Sequence, residues 1–379
     1  MKALLTTFLF ILTLSNNSLH AQSKTRNYDL RGYLKSLQTI TYLNPDSLYH
    51  DNLLHNRLNF KWYPNDKITF SLEARNRIFW GESLKLQQLF PDSLAFGKAL
   101  DNANNDVLDL SILLVNRHSL VVHSMIDRAY IDFTQGKWEL RLGRQRINWG
   151  INLAWNPNDL FNTFSFFDFD YEERPGSDAL RLQYYTGDLS SIELAVKAFT
   201  EVDEIVAAGL WRFNKWNYDF QVLGGIYHED LTLGGGWAGS IKEIGFKGEL
   251  SYFHPYTQLD SSGVFTATLS ADYFWDKFFV TGGLLYNSAG FSENALLQLL
   301  NYQPSAKNLY PYKYASLVSL SYAFSQIINT SFSAIYSPGD NAVFLSPSFS
   351  YSIKENWDIY LIAQSFAGKL YNNYQWSHS

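Results

Sequence analysis

Hydrophobic and polar residues alternate along most of the chain, and this pattern predicts β-strands with two different faces. The segment 191–198 places Ile192, Leu194 and Val196 on one face and Glu193 and Lys197 on the other. The same alternation predicts strands at 28–41, 53–63, 67–80, 129–133, 138–142, 179–185, 191–198, 204–213, 217–228, 231–240, 243–254, 263–274, 277–287, 314–325, 327–336, 341–351 and 356–366. Most of these segments suit a tilted transmembrane strand of about 9–11 residues better than a globular strand of about 5–6 residues.

The connections between the predicted strands alternate in length. Short turns fall at 64–66, 135–136, 187–188, 214–215, 242–243, 276–277, 325–326 and 354–356, whereas 81–111, 148–177 and 288–313 are long. Short turns at one end and longer loops at the other are typical of outer-membrane barrels, with the short turns periplasmic. A last strand near 369–376 raises the count to 18, and losing a weak N-terminal strand lowers it to 16. We therefore predict an all-β fold, a transmembrane antiparallel up-and-down β-barrel of 16–18 strands.

Composition agrees with this prediction and excludes other classes. Aromatic residues make up 17% of the chain, and charged residues also 17%, against about 25% in soluble domains. A bundle of membrane helices is excluded because each helix needs a span of about 20 mostly apolar residues. Disorder is excluded because disordered chains have few aromatic residues and high charge. The absence of cysteine excludes disulfides and thiolate sites. The formal net charge of -6 gives no reason to expect a nucleic-acid partner.

The N-terminus has the pattern of an export signal. Lys2 precedes a mostly apolar run from Leu4 to Leu14, and a polar stretch then ends at Ala21. This pattern predicts a secretory signal peptide at 1–21 and an outer-membrane β-barrel over 22–379. The alternative, a short membrane anchor, needs a longer apolar run.

Charged residues are densest between 127 and 181, on the faces predicted to point inward. The predicted ladder sets Arg128, Arg141, Arg144, Arg146 and Arg181 against Asp132, Glu139 and Glu193. Strict alternation would place Arg144 and Arg146 in lipid, where each arginine would cost about 2–4 kcal/mol near the midplane. We therefore predict a β-bulge at Gly143 that turns both toward the lumen or the upper rim. The ladder can act as a transverse field that filters solutes, or as a salt-bridge network that braces the wall.

A long loop follows this charged hairpin. Asn156 is predicted to cap a short helical turn that starts at Pro157, and the loop to fold inward and set the bore. Side chains predicted to pin the loop to the ladder are Glu172, Glu173, Arg174 and Asp178. Asp168, Asp170 and Glu172 alternate and could together bind Ca²⁺. Their spacing matches no calcium-loop motif, so we expect hydrated carboxylates, no metal and no cofactor.

Several of these motifs resemble those of porin-like outer-membrane channel proteins. The matching stretches are Arg141-Leu-Gly-Arg-Gln145, Asn148-Trp-Gly150, Asn156-Pro-Asn-Asp-Leu-Phe-Asn162 and Glu173-Arg-Pro-Gly176. They are similar to alginate-export barrels and to Bacteroidetes barrel proteins of unassigned role. The resemblance implies a lumenal or eyelet role for Arg141, Arg144, Gln145, Asn156 and Asp159. It also implies a bacterial outer-membrane location, with membrane lipid, the barrel-assembly machinery, and small polar or anionic solutes or oligosaccharides as partners.

The favoured function is therefore passive passage of small polar or anionic solutes. The alternative is a non-conducting barrel that binds or organises surface polysaccharide. Catalysis is disfavoured, because no Gly-x-Ser-x-Gly or His-Glu-x-x-His motif occurs. The pairs His118-Ser119 and His123-Ser124 are strand neighbours whose side chains point to opposite faces, so neither forms a dyad.

Overall fold

The computed structural model describes residues 27–44, 47–86, 95–102, 106–163, 176–197, 201, 205–257, 260, 262–292, 302, 304–370 and 373–378. Nearly all of the regular structure is β. The strands are β1 (Tyr28–Asn44), β2 (Ser47–Asn65), β3 (Ile68–Gly81), β4 (Ser111–Arg117), β5 (Leu120–Gln135), β6 (Trp138–Gln145), β7 (Ser177–Gly187), β8 (Ser190–Lys197), β9 (Val206–Lys215), β10 (Tyr218–Tyr227), β11 (Asp230–Ile241), β12 (Ile244–Pro255), β13 (Val264–Trp275), β14 (Phe278–Asn287), β15 (Tyr314–Ala323), β16 (Ile328–Ser337), β17 (Ala342–Lys354), β18 (Trp357–Ile362), β19 (Ser365–Leu370) and β20 (Asn373–His378).

Two short helices, α1 (Glu82–Leu86) and α2 (Ala95–Asn102), lie in the connection between β3 and β4. Neither helix among the described residues combines the length and the apolar content that a bilayer span requires.

The strands form one antiparallel up-and-down sheet in which almost every strand pairs with its neighbour in sequence. β4 is an exception, because it pairs only with the first half of β5, whose second half pairs with β6. β18 and β19 pair with β17 in one continuous register, interrupted where Pro347 lacks the N–H of a ladder bond. If β18 and β19 are counted as one strand, and β4 is not counted separately because it pairs only with part of β5, the twenty strands give a wall of eighteen. This number is within the predicted range.

The sheet curves round to its first strand. β20 pairs with β19 along its length and meets β1 at one residue pair, Tyr42 and His378. The architecture is an antiparallel β-barrel, as predicted, and a last strand follows β19 close to the predicted segment. Turns such as Gln135 to Trp138 and Gly187 to Ser190 are short, and the long connections lie at the opposite end.

The two faces of the sheet differ sharply. We call the face that carries exposed large apolar residues, such as Leu142, Leu194 and Leu233, the outer face. The opposite, inner face carries buried polar and charged residues, such as Arg57, Glu193 and Glu249. This is the reverse of a soluble domain, and it suits a wall with hydrocarbon on one side.

Aromatic residues mark two levels on the outer face. On β14 and β15, Tyr286 and Tyr314 lie with ring centroids 5.4 Å apart near one end, and Phe278 and Tyr322 lie 4.5 Å apart near the other. Eight residues separate the levels, about 27 Å along the strand. With a strand tilt of about 40°, the height is about 21 Å, close to the apolar band of about 25 Å on such barrels.

Candidate functional site

A chain of ion pairs crosses the inner face of β5, β6 and β7 near the short-turn end. Arg141 pairs with Asp132 on β5, and its guanidinium lies 3.2 Å from Glu139 on its own strand. Glu139 in turn lies 3.2 Å from the guanidinium of Arg181 on β7. Opposite charges therefore alternate along this chain of contacts, and Glu139 lies between Arg141 and Arg181, which face each other on neighbouring strands.

Glu193 on β8 extends this chain and joins it to the loop above. Its carboxylate lies 3.0 Å from Arg181 Nε and 3.2 Å from Arg212 Nη1 on β9. The same carboxylate accepts a hydrogen bond of 2.7 Å from the indole N–H of Trp149. We call the set Asp132, Glu139, Arg141, Arg181, Glu193 and Arg212 the ion-pair ladder. Arg212 was not among the predicted residues, although it alternates in phase on a neighbouring strand.

A second charged cluster lies on the inner face of β2, β3 and β5, further from the short turns. Arg57 is 1% exposed and lies 2.6 Å from Glu73 and 2.7 Å from Asp127. The other members are Arg75, Arg77, Arg128, His55 and His123, all buried. We call these eight residues the upper basic cluster. Its four arginines outnumber the two carboxylates.

A β-bulge sits in this cluster and not where the sequence predicted one. The β3–β5 ladder pairs Glu73 with Arg128 and then Ala74 with Ile126, so Asp127 is the extra residue. Both ladders of β6 run through Gly143 without a shift, so the predicted bulge at Gly143 is wrong. The bulge turns Asp127 and its neighbour Arg128 to the same face, which puts a carboxylate beside two arginines.

Gly143 instead allows a close approach between strands. Its φ is +117°, and a side chain there would place Cβ 2.2 Å from the carbonyl oxygen of Ala129. The next residue, Arg144, is buried and binds Asp178 at the upper end of β6 and β7, with Nη2 2.8 Å from its carboxylate. Arg144 also donates to the carbonyl of Leu108. Arg144 is thus accommodated by the ion pair with Asp178 at the strand end and by the segment at Leu108 that covers it. The register of β6 does not change.

The loop after β6 folds against the inner face, and Glu249 on β12 anchors it. The Glu249 carboxylate accepts hydrogen bonds from the backbone N–H groups of Ile151, of Asn152 at 2.9 Å and of Asn158 at 3.1 Å. Asn158 also donates to the carbonyl of Gly235 at 2.9 Å. A single carboxylate therefore holds three amides from two stretches of the loop. We call residues 147–163 the inner loop.

The inner loop packs along one side of the wall. Trp149 and Phe161 belong to an apolar cluster with side chains of β7 to β10 and of β12, including Phe253. Trp155 belongs to a second cluster with side chains of β14 to β17, including Leu317. Between them, the Asn152 amide binds Thr268 and Ser270 on β13. The loop therefore follows the inner face from β8 to β17, opposite the strands that carry the upper basic cluster.

Some predicted loop residues occupy this segment. Asn156 and Asp159 are buried, and Asp159 N–H donates to the Asn156 carbonyl at 3.1 Å. This bond closes a β-turn with Pro157 at its second position, in place of the predicted helical turn. Asp178 lies outside the inner loop, at the start of β7, where it binds Arg144. Glu172, Glu173 and Arg174, with Asp168 and Asp170, lie outside the described residues.

Three other predicted residues have local roles. Gln145 is fully buried and donates to the carbonyl of Ala179 at 2.9 Å. Arg128 lies beside Asp127 in the upper basic cluster. Arg146 makes no ion pair among the described residues.

His123 lies on the inner face, whereas Ser124 bonds Asn76 on the outer face, so this pair cannot act as a dyad.

Sequence reasoning missed the anchor Glu249. Glu249 is a lone carboxylate in an alternating strand, and its partners are backbone amides, which leave no trace in the sequence. Among the described residues, no group of His, Cys, Asp and Glu side chains could hold a metal ion.

A second loop covers the inner face at the long-connection end. Lys307 binds Asp230 at 2.5 Å, and the hydroxyl of Tyr312 donates to Asp340 at 3.1 Å. Tyr310 packs beside Tyr312, with ring centroids 5.6 Å apart. Burial raises the pKa of Tyr310 to about 12, and burial beside Asp340 raises the pKa of Tyr312 further. Both phenols are neutral near pH 7, which suits their packing against Trp155.

Solved structures that share this fold are outer-membrane porin barrels. The chain aligns with OccAB4 of Acinetobacter baumannii at a TM-score of 0.57 and 10% identity, covering 94% of this chain and 96% of that one. It aligns with OccK5 (OpdH) of Pseudomonas aeruginosa at a TM-score of 0.56 and 9% identity, covering 92% of this chain and 95% of that one. For the outer membrane protein OprD of Pseudomonas aeruginosa the values are 0.54 and 8%, covering 93% and 92%.

At these identities the likeness shows the fold, which is that of porin β-barrels. No protein-family model matches the chain, and no curated protein matches it. The resemblance to alginate-export barrels therefore stays a prediction.

Proposed function

We propose that the chain is a porin-like channel that lets small polar or anionic solutes pass through the bacterial outer membrane by diffusion. It resides in that membrane with its outer face against lipid, after export directed by residues 1–21. The barrel-assembly machinery inserts it. Three features support this proposal: the porin fold, the outer apolar band between two aromatic levels, and a charged inner face. A barrel of 16–18 strands is wide enough to enclose an aqueous channel.

The position of the inner loop carries the proposal. The loop is fixed along the wall from β8 to β17 by Glu249, Asn158 and two apolar clusters. It therefore narrows the lumen from one side. The partly exposed arginines of the ion-pair ladder, Arg141, Arg181 and Arg212, line the lumen beside it, and the buried upper basic cluster lies in the wall of β2 to β5. A passage bounded by a fixed loop on one side and charged side chains on the other selects solutes by size and by charge.

The preference for anions rests on the balance of charge in this passage. In the ion-pair ladder, carboxylates and arginines alternate and largely neutralise one another. The upper basic cluster has an arginine excess, with Arg57, Arg75, Arg77 and Arg128 against Glu73 and Asp127 within it and Asp101 of α2, which lies 3.7 Å from His123. Buried positive charge at a narrow passage favours anions because the low-dielectric wall screens it weakly.

Conductance of the purified protein in planar bilayers tests the proposal. We expect stepwise conductance with a reversal potential that indicates anion preference in a salt gradient. Arg181→Gln removes a charge from the ion-pair ladder and leaves Glu139 and Glu193 with less compensation, so it should shift the reversal potential toward cations. Lys137→Gln removes the same charge from an exposed turn and should leave the potential unchanged. Equal reversal potentials for the two variants would contradict a filtering role for the ion-pair ladder. The ladder would then be a salt-bridge network that braces the wall.

The second candidate function is a non-conducting barrel that binds surface polysaccharide. The buried aromatic contacts of Trp155, Tyr310 and Tyr312 at the long-connection end favour it, because they fill space on one side of the lumen. Folded protein that migrates faster before boiling than after it, yet gives silent bilayers, would support this function over the channel.

A further inference from the structure

Serine hydroxyls cover the inner face of β15 to β17 near the short-turn end. Eight inner positions in this part of the three strands hold serine: Ser319, Ser321, Ser331, Ser333, Ser346, Ser348, Ser350 and Ser352. The strand ladders align them into rows, since Ser319 pairs with Ser333 and Ser333 pairs with Ser346. We call these eight serines the hydroxyl grid.

The hydroxyl grid faces the lumen and not the inner loop. Next to it, toward the long connections, Leu317, Ile335 and Phe344 belong to the apolar cluster that contains Trp155 of the inner loop. The first row of serines lies two residues closer to the short turns, and all eight serines are partly exposed. The change from apolar to hydroxyl side chains therefore marks the edge of the surface that the loops cover.

The serine side chains bind one another but keep unused capacity. Ser319 and Ser333 share a hydrogen bond of 2.9 Å between their hydroxyls, and Ser331 and Ser348 share one of 2.6 Å. A hydroxyl has one donor and two acceptor lone pairs, so each pair keeps a donor and several lone pairs. The grid can therefore both donate to and accept from a solute in the lumen.

Strand propensity alone does not explain serine at these positions. Threonine carries the same hydroxyl and has the higher strand propensity, because it is β-branched. Thr266, Thr268 and Thr281 hold inner positions of β13 and β14, where they are buried. The part of the wall that is open to the lumen instead uses serine, whose hydroxyl has no methyl group beside it.

The hydroxyl grid lies across the lumen from the ion-pair ladder. In order round the wall, β16 is nine strands beyond β7, which is half of a wall of eighteen. The two sets lie at similar heights, since Arg181 is six residues from the end of β7 at Gly187 and Ser348 is six residues from the end of β17 at Lys354. One wall of the passage is therefore charged, and the facing wall offers uncharged hydroxyls.

An exposed aromatic ring borders the hydroxyl grid. Tyr360 on β18 pairs with Ser350 in the ladder, so it lies on the inner face, and it is 60% exposed. A ring face can cover the apolar C–H face of a sugar, and neighbouring hydroxyl side chains can bind its O–H groups. This combination is independent of the serine rows and indicates the same kind of ligand.

We propose that the hydroxyl grid and Tyr360 bind uncharged, hydroxyl-rich solutes, that is, sugars. This inference rests on the proposed function, because it names the solute class that one wall of the passage takes. A sugar hydroxyl both donates and accepts, and serine meets both needs without the desolvation cost of a charge. Hydroxyls recur about every 4.8 Å across strands and about 7 Å along them, so a moving sugar exchanges partners in short steps. Binding is then weak and repeated, as conduction requires.

Ligand-observed NMR on the folded protein, in a detergent without sugar headgroups, tests this binding with maltotriose as the probe. We expect saturation transfer from the wild-type protein to maltotriose. The affinity should fall by at least about fivefold in Ser331→Ala/Ser348→Ala/Ser350→Ala, the effect of one lost hydrogen bond. Ser316→Ala, on the outer face of β15, is the matched control and should bind as the wild type does. Ser321→Ala/Ser346→Ala is a second variant in case the triple variant does not fold, and the shift in gel mobility on boiling reports folding.

Wild-type protein that gives no transfer to maltotriose would overturn the inference. Equal affinity in the grid variants and in Ser316→Ala would overturn it as well. Binding is measured without ion flow, so this failure is distinct from that of the channel. Stepwise conductance without maltotriose binding would refute the sugar site alone, whereas maltotriose binding with silent bilayers would refute the channel and leave the site.

Discussion

Glu249 offers a direct test of whether the inner loop is held as a fixed part of the lumen. Glu249→Gln preserves the size of the side chain and changes one acceptor oxygen into an N–H₂ group. The remaining oxygen can still accept from Ile151 and Asn152, but the new N–H₂ group faces the N–H of Asn158. The hydrogen bond from Asn158 is lost, and two donors oppose each other.

The size of the effect follows from that single bond. A buried donor left without its acceptor costs about 1–3 kcal/mol. A loss of about 2 kcal/mol raises the population of the released loop by about 30-fold, since 1.4 kcal/mol is a factor of ten. The strands of the barrel lose no ladder bond, so their stability should change little.

Amide hydrogen exchange measured by mass spectrometry on the detergent-solubilised protein reports this release. We expect peptides from 147–163 to exchange about 30-fold faster in Glu249→Gln, with the peptides of β12 unchanged. Glu243→Gln, the same substitution at an exposed position in the turn before β12, is the matched control. Equal exchange of the loop in both variants would refute the anchoring role. Faster exchange throughout β12 as well would mean that the substitution damages the barrel itself.

Three further predictions follow from named contacts. Gly143→Ala should destabilise the barrel to urea by more than about 2 kcal/mol, because its Cβ would meet a carbonyl at 2.2 Å, whereas Gly136→Ala, in an open turn, should cost about 1 kcal/mol. Trp149→Phe removes the N–H bound to Glu193 and should increase exchange in the inner loop by about tenfold, read by the same peptide measurement. The folded pKa of Tyr310 lies above that of the unfolded chain, so its stabilising contribution is complete below pH 10 and is lost between about pH 10 and pH 12. Phenolate absorbance should show a step near pH 12 that is smaller by one phenol in Tyr310→Phe.

Alternation predicted the wall because the period of two is a property of each strand by itself. Leu194 and Glu193 point to opposite sides whatever surrounds them, and a lipid environment selects the apolar set for the outside. The predicted turns and the strand range follow from the same pattern. β4 escaped prediction because it lies within the long connection, and its residues Ile112 to Val115 form an apolar run with no polar residue in alternation.

The contacts between strands were harder to predict, because they depend on register. The ladder pairs Arg141 and Arg181 with Glu139, and these residues could be proposed from alternation on consecutive strands. The bulge is predicted at Gly143 because strict alternation beyond it places Arg144 and Arg146 in lipid. The extra residue is Asp127, and its carboxylate gains two arginines there.

Three carboxylates of the inner face show why the site cannot be reduced to its charge count. Glu139 neutralises arginines on its own strand and on β7. Glu249 binds backbone amides of the inner loop. Glu193 joins the two regions, because it pairs with Arg181 and Arg212 and also accepts a hydrogen bond from the indole of Trp149. Because Glu193 is shared, the charged wall and the inner loop are fixed relative to each other through one side chain. In the proposed channel, the position of the inner loop and the arrangement of the ion-pair ladder are therefore linked through Glu193.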